Sequence, residues 1–470
     1  MGENKVNVTD SLLDFVEAHR TYDTLPKEVI DITKTLLFDA VSNTLGGIAS
    51  DKGKIGIQFA KMTGGFPEAT VLGTGEKVSA AAAALANGEL QNGLDYDPVP
   101  HIPPILMPAV MAIAEQQHST GKEMLTALAV GGEVAIRLSD VLMNAMRRSL
   151  AETGKTPDVF GNSNEHIIGA AVACGMLLGL SREQLAQCIG ISAGICSLPI
   201  CRDWENTMPK TMIKYFPAAW LAHSAVCAAQ LASLGYTGNA YTLDSEYGFP
   251  AIYCRIPGVW EPEEVVRDIG KTWKWLTMGL KPYPACRYLH SDLDCFYKLM
   301  DEYHFGPNEI DEIRCYSADF VAHPDQMAVS NQVDAQFSGP YTLAMALYGY
   351  EVGPAWQNKS ALTDPRIRSF MSKVKMLRSE RYYEQKKTDP LSWYAKVEID
   401  AHGHTYTAEC DYSSGTNKDG YRITQEDLDK RFFNNAQIIL PSDKIEKAME
   451  QLKHIEDYDD LQEVMKNLVL

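Results

Sequence analysis

No apolar run in this sequence is long enough to cross a bilayer. The longest uncharged apolar stretch, Ile189 to Cys201, falls well short of the roughly 20 residues a spanning helix needs. The opening residues, MGENKVNVTDSLL, hold no apolar signal core, and Val6 stands where a myristoylation motif requires Ser or Thr. No CxxC pair occurs among the ten cysteines, and the closest two, Cys196 and Cys201, have no CxH partner nearby. That spacing argues against a disulfide framework and against a structural zinc, and predicts reduced thiols in a soluble cytoplasmic protein. Positive charge is scarce: 43 Lys and Arg against 61 Asp and Glu give a net charge of −18. A nucleic-acid partner and an anionic membrane are therefore not expected. A small anionic substrate is not excluded, because a few basic residues can reverse the field inside a cleft. There is no internal repeat, no low-complexity tract and no glycine-rich phosphate loop; Gly64-Gly65 and Gly73-x-Gly75 do not complete a dinucleotide motif.

What is present is apolar and helical. With 470 residues, 45% of them hydrophobic, the chain can bury a large core in two or three domains. Pro26 to Ser50 carries Ile30, Leu37, Val41 and Leu45 at near-helical spacing. Phe66 to Lys77 reads as a short strand and turn, and Ser79 as the cap of an alanine-rich helix. Glu165 to Leu180, Ser181 to Leu198 and Ala218 to Leu234 are rich in alanine and glycine, which lets helices approach closely in a buried bundle. Near residue 270 the pattern changes. Ile310 to Phe320 and Trp393 to Asp400 alternate as strands do, and His402 to Cys410 is expected to pair with the latter. Ser338 to Tyr348 reads as a helix capped by Ser338. The expected architecture is mainly α: a large all-helical domain from residues 1–270 and 412–470, with a smaller α+β lid domain, 271–411, inserted.

Three stretches gather groups able to do chemistry. In NGLDYDPVPHIPPILMP, Asn92 to Pro108, a proline-stiffened loop holds Asp95, Asp97 and His101 ahead of a helix started by Pro103 and Pro104. A helix N-terminus attracts anions, so a substrate carboxylate is expected to dock beside His101. Asp97 reads more simply as a loop residue satisfying backbone amides. In the second stretch Lys210 and Lys214 precede an apolar helix beginning near Pro217. A desolvated lysine there could bind a carboxylate or donate a proton; a solvated stem is the plainer alternative. The third, KPYPACRYLHSDLD from Lys281 to Asp294, offers the planar fork of Arg287 for a carboxylate and His290 as an acid or base, against the alternative of a salt-bridged Arg and a capping His. Cys286 lacks a Cys–His–Asp arrangement and is not expected to be a nucleophile.

Taken together, these stretches and DAQFSGPYTLAMAL resemble the MmgE/PrpD superfamily over nearly the whole chain. Members include dehydratases, decarboxylases and epimerases of small carboxylates. The resemblance implies cofactor-free chemistry, without a metal, on a small di- or tricarboxylate in a cleft between the two domains of a homodimer. Carried over by position, Asp95 and His101 match the acidic and histidine positions of the first motif, Lys214 the lysine before the central helix, His290 the histidine of the third motif, and Tyr341 the tyrosine after QFS. The resulting expectation is a lyase that removes a proton α to a carboxylate and expels water or CO₂. His101 is the leading acid/base, with Asp95 orienting it or binding substrate; Lys214 and His290 are further catalytic candidates. Arg287, Lys281, Lys210 and Tyr341 are candidates for substrate binding. An epimerase using the same chemistry and a non-catalytic carboxylate-binding protein are the alternatives. Three departures from the motifs predict a reshaped pocket: the Asp95–His101 loop is short, Ile102 replaces a proline, and His166 stands where a small residue is usual.

Overall fold

The computed structural model describes residues 6–153, 159, 161–253, 260–318 and 327–470. The fold is mainly α, with 58% helix and 8% strand. Helix α1 (Lys27–Gly46) shows why the first part of the chain is buried so deeply. Its first turns bury one face through Val29 and Thr33, but from Leu36 to Gly46 every residue is buried. A helix buried all round needs neighbours on every side. These include α2 (Ala80–Gln91), α3 (Pro103–Gln116) and α4 (Gly121–Thr153); behind them α5 (His166–Leu177) packs on α3 and α4, α7 (Ala218–Ser233) on α2 and α3, and α6 (Arg182–Gly194) on α5 and α7.

Small residues set the helix spacing, as their frequency predicts. Helices α4 and α5 cross where Gly131 faces Gly169, and a Cβ on Gly169 would lie 2.3 Å from the Gly131 carbonyl oxygen. Helices α2 and α7 meet at Gly88, whose added Cβ would lie 2.8 Å from Ala219 Cα. Methyl groups at these crossings would push the helices apart and open voids in the core.

The second half holds a four-stranded sheet. Strands β1 (Ala69–Thr70) and β2 (Lys77–Val78) form only a minor ribbon before α2. The larger sheet has the order β4 (Val374–Arg378), β3 (Ile310–Ser317), β5 (Ala395–Ala401), β6 (His404–Cys410). Helix α8 (His290–Tyr303) packs on it, and α9 (Gly339–Leu347) packs on both α8 and β4. The β5–β6 hairpin turns through His402 and Gly403, both with positive φ, as a two-residue turn between right-twisted strands requires. The predicted strand from Ile310 ends at Ser317; Asp319 and Phe320 lie outside the described residues. Strand β4 pairs in parallel with β3 and was not expected, since VKMLR has no clean alternation of apolar and polar residues.

Among the described residues two large apolar cores result, beside a small cluster of Ala318, Tyr382 and Tyr394. The first draws on residues from Val8 to Leu289 and again from Leu428 to Leu468, so both halves of the sequence complete it. It also takes in Val333 and Phe337. The second lies between Leu293 and Ala408. Helix α10 (Glu380–Thr388) follows β4, and helix α11 (Gln425–Ala436), capped by Thr424, packs on α1, as does α12 (Ser442–Lys453). From α11 the Arg431 guanidinium reaches across to donate to Asp39 on α1 and to the Lys281 carbonyl, and lies 4.8 Å over the Tyr96 ring. Among the described residues no helix is long and apolar enough to cross a membrane.

Candidate active site

Helix α2 ends at Gln91 with Asn92 as its C-terminal cap, and the buried loop that follows is fixed by groups from distant parts of the chain. Gln336 Nε2 donates to the Gly93 carbonyl (2.9 Å) and Gln357 Nε2 to that of Leu94 (2.8 Å). Asn43 Nδ2 donates to the Tyr96 carbonyl (3.1 Å), and the Tyr96 hydroxyl to that of Pro282 (2.9 Å). Asp95 takes a positive φ of 56°, tolerated by aspartate better than by most residues, and this turns its side chain away from that of Asp97.

Two clusters follow from that turn. In the first, Asp95 lies between two lysines. Lys214 Nζ donates to Oδ1 at 2.8 Å, and Lys281 Nζ donates to Oδ2 at 2.7 Å and to the Asp95 carbonyl at 2.9 Å. Lys214 also donates to the Asn92 carbonyl (3.0 Å). All three side chains are almost fully buried, with exposures of 1% or less. Burial alone would raise the Asp95 carboxyl pKa, but Lys214 and Lys281 outweigh it and hold the group far below the usual range. Burial lowers the Lys214 ammonium, and Asp95 opposes that.

In the second cluster Asp97 holds His101. Burial opposes ionisation of Asp97, and the field and hydrogen bond of His101 lower its pKa on balance. The ionised carboxylate accepts from His101 Nδ1 and, at 3.2 Å, from Asn92 Nδ2. With Nδ1 donating, Nε2 of a neutral His101 is an acceptor, and the Tyr215 hydroxyl lies 2.6 Å from it. Tyr215 is held well above its ordinary pKa, first by burial and then by Asp95 and Asp97, so it stays a neutral phenol. The rings of Phe216, Trp204 and Phe337 surround this pair. His101 has 12% of its side chain exposed, whereas Asp97 has none. The imidazole is thus the member of these two clusters that reaches outward.

His166, the first residue of α5, supports the same loop. Burial lowers its pKa to about 3, so it is neutral, and its Nδ1 donates to the His101 carbonyl (3.1 Å). Its Nε2 lies 3.4 Å from Glu165 Oε1, and burial raises the Glu165 carboxyl to about 7. Helix α3 begins at Pro103, with Pro104 next. These prolines have no N–H, and the amides of Ile105 and Leu106 bond to the Ile102 carbonyl. The helix start beside His101 therefore has few amide donors for an anion, contrary to the expectation of a docking site there.

The sequence-derived candidates separate on this map. Asp95, Lys214 and Lys281 come together, His101 lies alongside, and the carboxylate against His101 belongs to Asp97 rather than Asp95. His290 is fully buried; its Nε2 meets the Ala285 carbonyl (3.0 Å), and burial, then Arg287 and Lys281, push its pKa well below the usual value. Arg287 is buried among neutral oxygens. Lys210 Nζ donates to the carbonyls of Glu205 (2.7 Å) and Trp204 (3.2 Å) at the end of a short helix. Tyr341 lies in the second core with its hydroxyl on the Trp356 carbonyl (2.7 Å), and the structure does not bring it to the clusters. Sequence reasoning passed over Asp97, Tyr215 and Asn92 as site members. The i, i+4 spacing of Asp97 and His101 was the one signal for the first. Burial leaves the Cys286 thiol with its pKa raised to about 12, the wrong direction for a nucleophile.

Comparison with known proteins agrees with the motifs. Residues 10–259 match the MmgE/PrpD N-terminal domain and residues 283–455 the MmgE/PrpD C-terminal domain. Human cis-aconitate decarboxylase is 25% identical over 458 residues, covering 93% of this chain and 89% of that protein. A cis-aconitate decarboxylase-like protein of Aspergillus oryzae is 27% identical over 66% of this chain and 65% of its own length, just under two thirds. The cis-aconitate decarboxylase of Aspergillus terreus is 26% identical over 60% of this chain and 58% of its own length.

Proposed function

The chain belongs to the MmgE/PrpD family, and we propose that it is a lyase acting on a small polycarboxylate, with decarboxylation of a tricarboxylate such as cis-aconitate as the leading reaction. The observation that carries this reading is the Asp97–His101–Tyr215 chain, whose imidazole is the outward-facing group beside a buried cationic cluster. The relatives named cis-aconitate decarboxylase favour loss of CO₂ over loss of water. In that reaction a C–C bond breaks, its electron pair moves into the conjugated unsaturated acid, and a proton is delivered to carbon. His101 is the proton carrier in this reading. Asp97 fixes its tautomer and stabilises the imidazolium, and the Tyr215 hydroxyl bonds to the second nitrogen. Lys214 and Lys281 share the single charge of Asp95, so the trio carries a net positive charge that favours carbanion-like character nearby.

The same reading places the reaction between the helical domain, 1–270 with 412–470, and the smaller domain, 271–411, of a cytoplasmic homodimer without a cofactor. The test is incubation with cis-aconitate, citrate and a panel of di- and tricarboxylates in D₂O, followed by NMR. Deuterium in a decarboxylated product supports the proposal. Exchange with inversion and no loss of CO₂ or water would show an epimerase, and no exchange with any acid would leave only a binding protein.

A further inference from the structure

A polycarboxylate substrate brings two or three negative charges, yet Lys214 and Lys281 are already committed to Asp95. Further cations are needed, and two that lie over one aromatic ring have no carboxylate at ion-pair distance among the described residues. Arg287 is 4% exposed. Its Nη1 donates to the carbonyls of Ser414 (2.9 Å) and Leu280 (3.3 Å), and its Nη2 to Thr416 Oγ1 (2.8 Å). Its Nε is buried without a partner among the described residues. A buried guanidinium surrounded by neutral acceptors, with its Nε–H unmet, is suited to take an anion.

The second cation is Lys386, near the end of the helix Glu380–Thr388. Its ammonium donates to the Pro390 carbonyl (2.7 Å) and sits 3.8 Å over the centre of the Trp393 ring. The Arg287 guanidinium carbon lies 5.6 Å from the centre of the same ring. One indole thus bears two cations. Burial, then the charges of Arg147 and Arg287, push the Lys386 ammonium down to about 7. The carboxylates whose fields reach the pair are engaged elsewhere: Asp294 accepts from Tyr283 and the Ser414 amide, Asp389 from Tyr412 and the Leu391 amide. Arg287 follows Cys286, which feels the charges of Asp95, Lys281 and Lys214, so the guanidinium of the pair adjoins the first cluster along the chain.

We propose that Arg287 and Lys386, held on Trp393, form a second carboxylate-binding site, which takes a substrate carboxylate remote from the reacting carbon. The proposal rests on the reading of the substrate as a polycarboxylate. Arg287 also ties together three chain segments, so the informative variant is Lys386→Met, which keeps the apolar stem on Trp393 and removes the charge. The probe is tricarballylate, a saturated tricarboxylate, titrated calorimetrically into the intact chain. Lys386→Met is expected to weaken its binding about tenfold to a hundredfold, the range for a lost charge-assisted hydrogen bond. Lys386→Arg is expected to restore it. Lys387→Met, at the exposed neighbour paired with Glu384, controls for net charge and is expected to leave binding unchanged. Binding by Lys386→Met within about twofold of the wild type, an equal loss in Lys387→Met, or no binding to the wild type overturns the proposal. Turnover of cis-aconitate is measured in parallel. Turnover with binding insensitive to Lys386 sinks the site and keeps the lyase; Lys386-dependent binding without turnover of any acid does the reverse.

Discussion

Asp95 and Lys214, joined by a 2.8 Å ion pair, both adopt the left-handed backbone conformation, with φ of 56° and 57°. For lysine this conformation is uncommon and unfavourable, and it persists only where the surroundings enforce it. Here the enforcing contacts are the bonds from Lys214 to Asp95 and the Asn92 carbonyl, deep in the core. The two neighbouring carboxylates of the loop therefore have separate duties, and their variants should fail in different ways.

Asp97→Asn is expected to lower kcat by about two orders of magnitude or more, since His101 loses the acceptor that fixes its tautomer. Its melting temperature should stay close to that of the wild type. Asp95→Asn leaves Lys214 and Lys281 buried without a counter-charge and is expected to cost about 3–5 kcal/mol of stability. Urea unfolding beside steady-state kinetics checks both. Equal stability losses in the two variants would contradict the division.

Tyr215→Phe removes the hydroxyl 2.6 Å from His101 Nε2 and keeps the ring contacts. A fall in kcat of about a hundredfold is expected, with little change in KM. Because burial keeps Tyr215 a neutral phenol, the alkaline limb of the pH–rate profile should be the same in both proteins. A limb that disappears in the variant would mean that the phenol titrates.

His166 acts through the His101 backbone. His166→Asn retains a donor near the Nδ1 position and is expected to keep most activity. His166→Phe is expected to lose about tenfold to a hundredfold in kcat, from one lost hydrogen bond and a misplaced imidazole. Kinetics of both variants over a range of pH provides the check; equal activity in the two would remove His166 from the positioning role.

Asp292 offers a stability test away from the chemistry. Its carboxyl is buried with Oδ1 unpartnered and Ser317 on Oδ2 (2.9 Å), and burial raises its pKa from 3.8 to about 7. Between those values the folded chain holds a proton that the unfolded chain has released, so this group makes stability fall as pH rises through that window. Asp292→Asn is expected to be more stable than the wild type by roughly 1–3 kcal/mol at pH 8 and near equal to it at pH 4. Denaturant titration at the two pH values decides this; a gain that does not depend on pH would be a packing effect.

The contrast between Asp95 and Asp97 also marks how far the sequence could be read. Local chemistry was legible: Ser79 accepts from the Ala82 amide, Ser338 from that of Tyr341, and the 402–403 turn joins β5 to β6. The motif order also located the loop, the two lysines and the arginine. What could not be read is direction. A single positive φ at Asp95 decides which carboxylate meets His101, and two aspartates spaced by one residue look alike on paper. Strand β4 was hidden for a similar reason, because its partner β3 lies far back in the chain and its burial is irregular. Tyr341 shows a different limit: a motif position does not give a side chain's contacts, and here the hydroxyl bonds within the second core.

The reach of Arg431 to Asp39 and to the Lys281 carbonyl has a consequence for biosynthesis. Ribosomes deliver α11 only after residues 47–424 have followed α1, so the main core stays open along the α1 face while that stretch is being made. Lys281 cannot take its final support until Arg431 has left the exit tunnel. Nascent chains stalled before residue 425 should therefore bind holdase chaperones and resist refolding, and release of the last helices should be the step that makes the protein resistant to protease.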